Sequence, residues 1–263
     1  MKDLRLALLQ CESLPCDVTA NMKRLDDACQ TAAAAGADLI VTPEMFLTGY
    51  NIGRAAAAAL AEYASADRVK AVSALALRHG IAIAVGHPER DQAGTIFNTA
   101  VCVDSKGRLL GRYRKTHLFG DLDRDMFSAG SGDEPLFDLH GWKVGMLICF
   151  DVEFPENPRR LALQGADLIV VPTANMVGFE FVSQHLIATR AYENQVFVAY
   201  ANFCGHEADI SYNGLSCVAA PDGAVLSQGD GSPSLLLADL TRNALTAGRK
   251  LLGHLEVIRS VQS

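Results

Sequence analysis

One hexapeptide occurs twice in this chain, at the same kind of junction each time. Gly36-Ala37-Asp38-Leu39-Ile40-Val41 recurs letter for letter as Gly165-Ala166-Asp167-Leu168-Ile169-Val170. Each copy follows a stretch with helical apolar spacing, and each ends in a β-rich run that meets a proline, Pro43 or Pro172. Glycine closes a helix because it takes the left-handed backbone conformation without penalty, and the short apolar run after it reads as a buried strand. Two helix–glycine–strand units of one build predict an α/β chain with two pseudo-equivalent layers facing each other. Two copies fall short of a solenoid, and any helix-to-buried-strand junction favours glycine followed by apolar residues.

The remaining pattern alternates in the same way. Leu4 to Gln10 reads as a strand. Asn21 to Ala35 has helical spacing through Met22, Leu25, Ala28, Cys29 and Ala32. Arg54 to Arg78 predicts one or two helices closed by Gly80. Ile81 to Gly86 and Phe97 to Val103 read as strands, and a turn at residues 104–107 leads into a third that runs towards Lys115. Phe119 to Glu134 reads as an acidic loop, Trp142 to Phe150 as a buried strand, Asn157 to Gln164 as a helix. Phe181 to Glu193 predicts a helix and Val196 to Asn202 a strand, followed by short strands to about Leu240. No linker interrupts residues 1–263, which read as one domain.

Composition narrows the function. A net charge of -7 without a Lys/Arg cluster argues against nucleic acid and anionic membranes as partners. Asp3 and Arg5 break the apolar run at the N-terminus, so no signal peptide is expected, and no stretch approaches the roughly 18 apolar residues of a membrane span. Seven cysteines are scattered, without a CxxC pair or zinc spacing. They predict free thiols in a reducing cytoplasm and no metal site.

Active sites of α/β sheets collect beyond the carboxyl ends of strands. Three such ends carry reactive groups: Leu39 to Pro43 delivers Glu44, Arg112 to Arg114 delivers Lys115, and Val144 to Ile148 delivers Cys149. Taken singly, each has a plain structural explanation: a core thiol, a solvated lysine, a capping glutamate. The residues after Cys149 predict a sharp turn into a helix whose positive end lies near the thiol.

Pro43-Glu44-Met45-Phe46, Tyr113-Arg114-Lys115-Thr116-His117-Leu118 and Ile148-Cys149-Phe150-Asp151, in that order and spacing, resemble the three motif blocks of the nitrilase, or carbon–nitrogen hydrolase, superfamily. Residues 48–53, 119–124 and 153–157 are similar to short aliphatic amidases such as 5-aminopentanamidase and an R-stereoselective amidase. The resemblance implies a four-layer αββα sandwich of two mixed sheets with helices outside. It also implies no cofactor, a small-molecule amide as substrate, and a homodimer or larger homo-oligomer with the stretch from Thr241 packing across the interface.

In the roles the resemblance implies, Cys149 attacks the amide carbon and Glu44 moves protons. Lys115 and the Phe150 N–H hold the oxyanion. The physics agrees for Glu44, because a carboxylate on a buried strand end is desolvated and its pKa rises towards a useful value. A second acid stands between lysine and cysteine in the family. Here Asp123 is the first candidate and Asp121 the second, with the shorter aspartate side chain a departure from the family pattern. These aspartates, or Glu153, could instead attract an ammonium on the substrate. Asn175 and Tyr50 are candidates for the pocket wall. His117 reads as a hydrogen-bonded structural histidine, and Arg190 with Glu193 as a salt bridge at i,i+3 spacing. Competing readings are an ω-amidase, an N-carbamoyl amino acid hydrolase, a nitrilase, a papain-like cysteine–histidine pair, and a thiol-bearing binding protein without activity. Gly130-Ser131-Gly132 lacks the third glycine of a dinucleotide loop.

Overall fold

The computed structural model describes residues 2–63, 67–132 and 136–262. Ala64, Ser65 and Ala66 of the alanine-rich stretch, and Glu134 of the acidic loop, lie outside the described residues. The first half runs β1 (Leu4–Glu12), α1 (Val18–Ala34), β2 (Leu39–Val41), α2 (Gly53–Leu60), β3 (Glu62–Tyr63), α3 (Asp67–His79), β4 (Ala82–Arg90), β5 (Ile96–Val103), β6 (Leu109–Arg114) and α4 (Gly120–Met126). The second runs β7 (Phe137–Leu139), β8 (Trp142–Met146), α5 (Glu156–Leu163), β9 (Leu168–Thr173), α6 (Ile187–Asn194) and β10 (Phe197–Glu207). It ends with β11 (Ile210–Asn213), β12 (Cys217–Ala219), β13 (Val225–Gln228), β14 (Ser234–Leu240), α7 (Arg242–Leu252) and α8 (His254–Gln262).

The repeated hexapeptide does the same job twice. Gly36 and Gly165 both take positive φ, 78° and 101°. The next residue donates back into the helix, Ala37 N to Ala32 O at 2.9 Å and Ala166 N to Leu161 O at 3.0 Å. Each aspartate then clips onto the preceding strand: Asp38 N donates to Arg5 O and Asp167 N to Lys143 O, both at 2.7 Å. Their carboxylates accept from the Arg5 and Lys143 N–H groups.

From these clips two matching sheets grow. One has the order β14-β1-β2-β4-β5-β6, the other β7-β8-β9-β10-β12-β13. Along each the pairings run antiparallel, parallel, parallel, antiparallel, antiparallel. The sheets join where the end of β1 pairs with β10, Cys11 opposite Phe203 and Glu12 opposite Cys204.

Alternation along the strands sorts side chains between layers. Leu4, Leu6, Leu8, Leu39, Val41, Ala82, Ala84, Ala100 and Cys102 pack into one core with Val144, Met146, Leu168, Val170 and the rest of the second sheet. Ala7, Leu9, Ile40, Ile83, Val85, Val101 and Val103 join Leu25, Cys29 and Ala32 of α1 and Val72, Leu75 and Ala76 of α3 in the other. The result is the expected four-layer sandwich, two mixed sheets face to face with helices outside.

Several local expectations needed revision. The acidic stretch after Phe119 contains α4, where Leu122 and Met126, four residues apart, pack inward. The strand expected over Trp142 to Phe150 ends at Met146, and a tight 3-10 turn, Cys149–Glu153, separates it from α5. The positive end of an α-helix is therefore not at the thiol. The helix expected from Phe181 begins with a π turn, Val182–Leu186, before α6. The alanine-rich stretch, by contrast, divides into α2 and α3 within the expected one or two helices.

Candidate active site

Glu44 stands three residues beyond β2 and is fully buried. Its N–H donates to Thr173 O at 3.1 Å, tying the end of β2 to the end of β9 across the two sheets. The next residue, Met45, takes a positive φ of 52°. Gly86 on β4 makes room for that turn, since a Cβ there would collide with the Met45 backbone N. One carboxylate oxygen, Oε1, accepts from Lys115 Nζ and from Asn98 Nδ2, each at 2.7 Å. The other, Oε2, is buried without a hydrogen-bond partner among the described residues. Burial raises the Glu44 carboxyl above the usual range and the Asp123 charge adds to this, while Lys115 and Asn98 oppose it.

Lys115 is held by its backbone as β6 ends, its N–H on Asn98 O and its carbonyl accepting from Gly130 N, both at 2.8 Å. Its Nζ also lies 2.7 Å from Asp123 Oδ2, and all three charged side chains are fully buried. Burial by itself would discharge the ammonium, but the Glu44 and Asp123 charges hold its pKa well above the ordinary lysine value. The ammonium sits 5.6 Å from the Tyr50 ring centroid. Removing three charges from water costs several kcal/mol each before pairing offsets it. A set with two carboxylates for one ammonium, and with unpartnered Glu44 Oε2 and Asp123 Oδ1, is poor economy for stability alone.

Cys149 opens the 3-10 turn with a φ of 47°, a left-handed value that a β-carbon resists. Its side chain is partly exposed. Thr173, at the end of β9, donates its hydroxyl to Tyr200 Oη at 3.0 Å, and its neighbour Ala174 lines the same cleft as the sulfur. Burial of the sulfur, reinforced by the Glu44 charge, pushes the thiol well up, and Lys115 pulls the other way. The resting group is a thiol that needs a base. It opens into a narrow cleft lined by Tyr50, Phe119, Glu153, Ala174, Asn175, Met176 and Phe179.

The two aspartate candidates part company. Asp123 joins Lys115 and also accepts from Phe119 N at 2.8 Å, whereas Asp121 is almost wholly exposed beside Arg124. Phe150 packs edge-on to Phe119 and Phe154. Asn175 is fixed by Asn202, whose Oδ1 accepts from its N–H at 2.7 Å, and its Nδ2 donates to Phe179 O. His117 hydrogen-bonds Asp151 at 2.9 Å and stacks on Phe154, which fits the structural role. Arg190 pairs with Glu193 at 2.8 Å, as the spacing predicted. Among the described residues no group of three or more His, Cys, Asp and Glu side chains is arranged to hold a metal ion. Among the described residues no helix is long and apolar enough to cross a membrane.

Three contributors escaped the sequence reading. Asp151, fully buried, accepts from Tyr113 Oη at 2.9 Å, Thr116 Oγ1 at 2.7 Å and His117 N at 2.8 Å, so it locks the Lys115 segment to the cysteine turn. Asn98 orients Glu44; its signal was a polar residue on the same strand face as Ala100 and Cys102. Asn202 braces the cleft wall with bonds to Asn175, Asn213 and Gly214 that join three separate segments.

The profile of the carbon-nitrogen hydrolase family matches residues 5–250. This chain belongs to that family. It is 50% identical to a hydrolase of the pqqF 5′ region from Pseudomonas protegens, over 97% of this chain and 89% of the relative. It is 32% identical to an (R)-stereoselective amidase from Pseudomonas sp., over 96% and 90% of the two chains. Among solved structures, an amidase from Nesterenkonia sp. AN1 in complex with butyramide superposes with a TM-score of 0.82 at 32% identity, covering 95% of each chain. Another structure of that amidase shows acrylamide added to its active-site cysteine. The carbon-nitrogen hydrolase described here is accordingly an enzyme of the amidase type.

Proposed function

We propose that this enzyme hydrolyses small aliphatic carboxamides through a Cys149 thioester. Glu44 takes the thiol proton as the sulfur attacks the amide carbon. The oxyanion that forms is held by the Lys115 ammonium and the Phe150 N–H, one of the first N–H groups of a helical turn, which lack partners within it. Glu44 returns the proton to nitrogen, the C–N bond breaks and ammonia leaves. Water then gives a proton to Glu44 and adds to the thioester carbon. The C–S bond breaks, the thiolate recovers the proton, and the carboxylic acid departs. Asp123 keeps Lys115 charged and in place throughout.

The observation that carries this reading is the dry Glu44–Lys115–Asp123 set next to a cysteine whose left-handed turn opens on a cleft. The finer substrate reading is an ω-amino amide such as 5-aminopentanamide, supported by the likeness of residues 48–53, 119–124 and 153–157 to that kind of amidase. The exposed Leu251, Val257 and Val261 on α7 and α8 support pairing of copies through this end of the chain. Mass spectrometry of protein quenched during turnover of an amide panel tests the chemistry. An acyl group on Cys149 matching each amide is expected, and turnover without any Cys149 adduct overturns it.

A further inference from the structure

Glu153 closes the same 3-10 turn that Cys149 opens, and both side chains line one cleft. A rise of about 2 Å per residue along such a turn sets their Cα atoms about 8 Å apart. Glu153 is the only charged side chain in that lining among the described residues. Its carboxylate has neither a hydrogen bond nor an ion pair among them.

The nearby arginine explains why. Arg190 donates Nε to Val152 O at 2.9 Å and Nη2 to Glu153 O at 2.6 Å, and its Nη1 goes to Glu193. Its guanidinium thus grips the turn's backbone and leaves the Glu153 side chain unpaired. Around this carboxylate the cleft is aromatic and apolar, with Tyr50, Phe119, Met176 and Phe179. Ring faces attract cations, and apolar walls strengthen any charge contrast. Among the described residues no lysine or arginine lines the cleft to receive a carboxylate.

We propose that Glu153 is the specificity residue of this site, selecting amides whose far end carries an ammonium and rejecting those whose far end is a carboxylate. The inference rests on the hydrolase reading and adds the sign of charge that the substrate must carry. Burial raises the Glu153 carboxyl, with Lys115 and Arg190 opposing; a bound ammonium draws it back to the ionised form. The excluded class includes dicarboxylic monoamides, whose second carboxylate would meet the Glu153 carboxylate in the same cleft.

The test uses Cys149→Ala protein, which binds without turning over, and three amides of similar length: 5-aminopentanamide, pentanamide and glutaramate. Calorimetry should find the amino amide bound at least about ten-fold more tightly than pentanamide, the worth of one hydrogen bond to a charged group. Glutaramate should bind more weakly than either. Adding Glu153→Gln should collapse the amino-amide preference to within about two-fold. The preference should also shrink with added salt, a readout that needs no second variant. Equal affinity for the amino amide and pentanamide, tighter binding of glutaramate, or binding of none of the three overturns the proposal. Selective binding of the amino amide, together with no turnover by the unaltered enzyme, would leave Glu153's role standing and defeat the hydrolase reading alone.

Discussion

Cys11 and Cys149 hold corresponding places in the two halves of the molecule. Each lies six residues beyond the strand residue that the repeat aspartate clips, Arg5 in one half and Lys143 in the other. The register stays matched through Leu8 opposite Val41 and Met146 opposite Val170. There the paths separate. β1 continues straight to Glu12 and keeps Cys11 in the sheet, where burial pushes its thiol up to about 12. β8 stops, and Cys149 swings out on a left-handed turn. Burial raises both thiols, so burial is not what distinguishes them. The difference is company: Cys11 has Arg24, Cys204 and Glu12 nearby, and Cys149 has Glu44, Lys115, Thr173 and the Ala174 N–H.

The largest effect expected from this contrast is on rate. Cys149→Ser should lower kcat at least about 10⁴-fold in a steady-state ammonia-release assay while leaving the melting temperature near the parent value. Glu44→Gln and Lys115→Ala should each cost about 10²- to 10³-fold in kcat/KM. The pH profile sharpens the Glu44 assignment. Its folded-state pKa is raised, and the base form is the ionised one, so kcat/KM should be lost as pH falls through a point above the ordinary glutamate range. Glu44→Gln should flatten that acid limb; an unchanged limb would assign it to another group.

Smaller effects probe the scaffold. Asp151→Asn keeps the shape but weakens the bonds to Thr116 and His117, and should cost about 1–3 kcal/mol in denaturant unfolding together with a loss of rate. Cys11→Ser swaps a buried sulfur for a hydroxyl that costs more to desolvate, and should cost about 1–3 kcal/mol of stability with kcat unaltered. If Cys11→Ser slowed turnover as much as Cys149→Ser, the distinction between the two cysteines would collapse.

Much of this was legible before any coordinates. Strand ends, glycine stops and the duplicated hexapeptide are local signals, and they placed Glu44, Lys115 and Cys149 on three tips of an α/β scaffold. What stayed hidden depends on long-range pairing. Asp151 sits beside Cys149 in sequence, but its role appears only when residues 113–117 fold over it. The sequence ranked Asp123 ahead of Asp121, but the reason, which face of α4 turns inward, stayed hidden because that helix read as a loop, its aspartates and Gly120 outweighing Leu122 and Met126. Thr173 was obscured by its own repeat: it stands where Glu44 stands in the other copy, yet its carbonyl accepts from Glu44 N and its hydroxyl donates to Tyr200 Oη.

The single bond from Glu44 N to Thr173 O stitches one layer to its twin at the catalytic centre. On the proposed mechanism neither half of the polypeptide possesses a working centre on its own, since base and ammonium arrive from the first and the sulfur from the second. Turnover is therefore a sensor of interlayer docking: in mild denaturant it should vanish as soon as the sandwich parts, even while each half keeps its secondary structure.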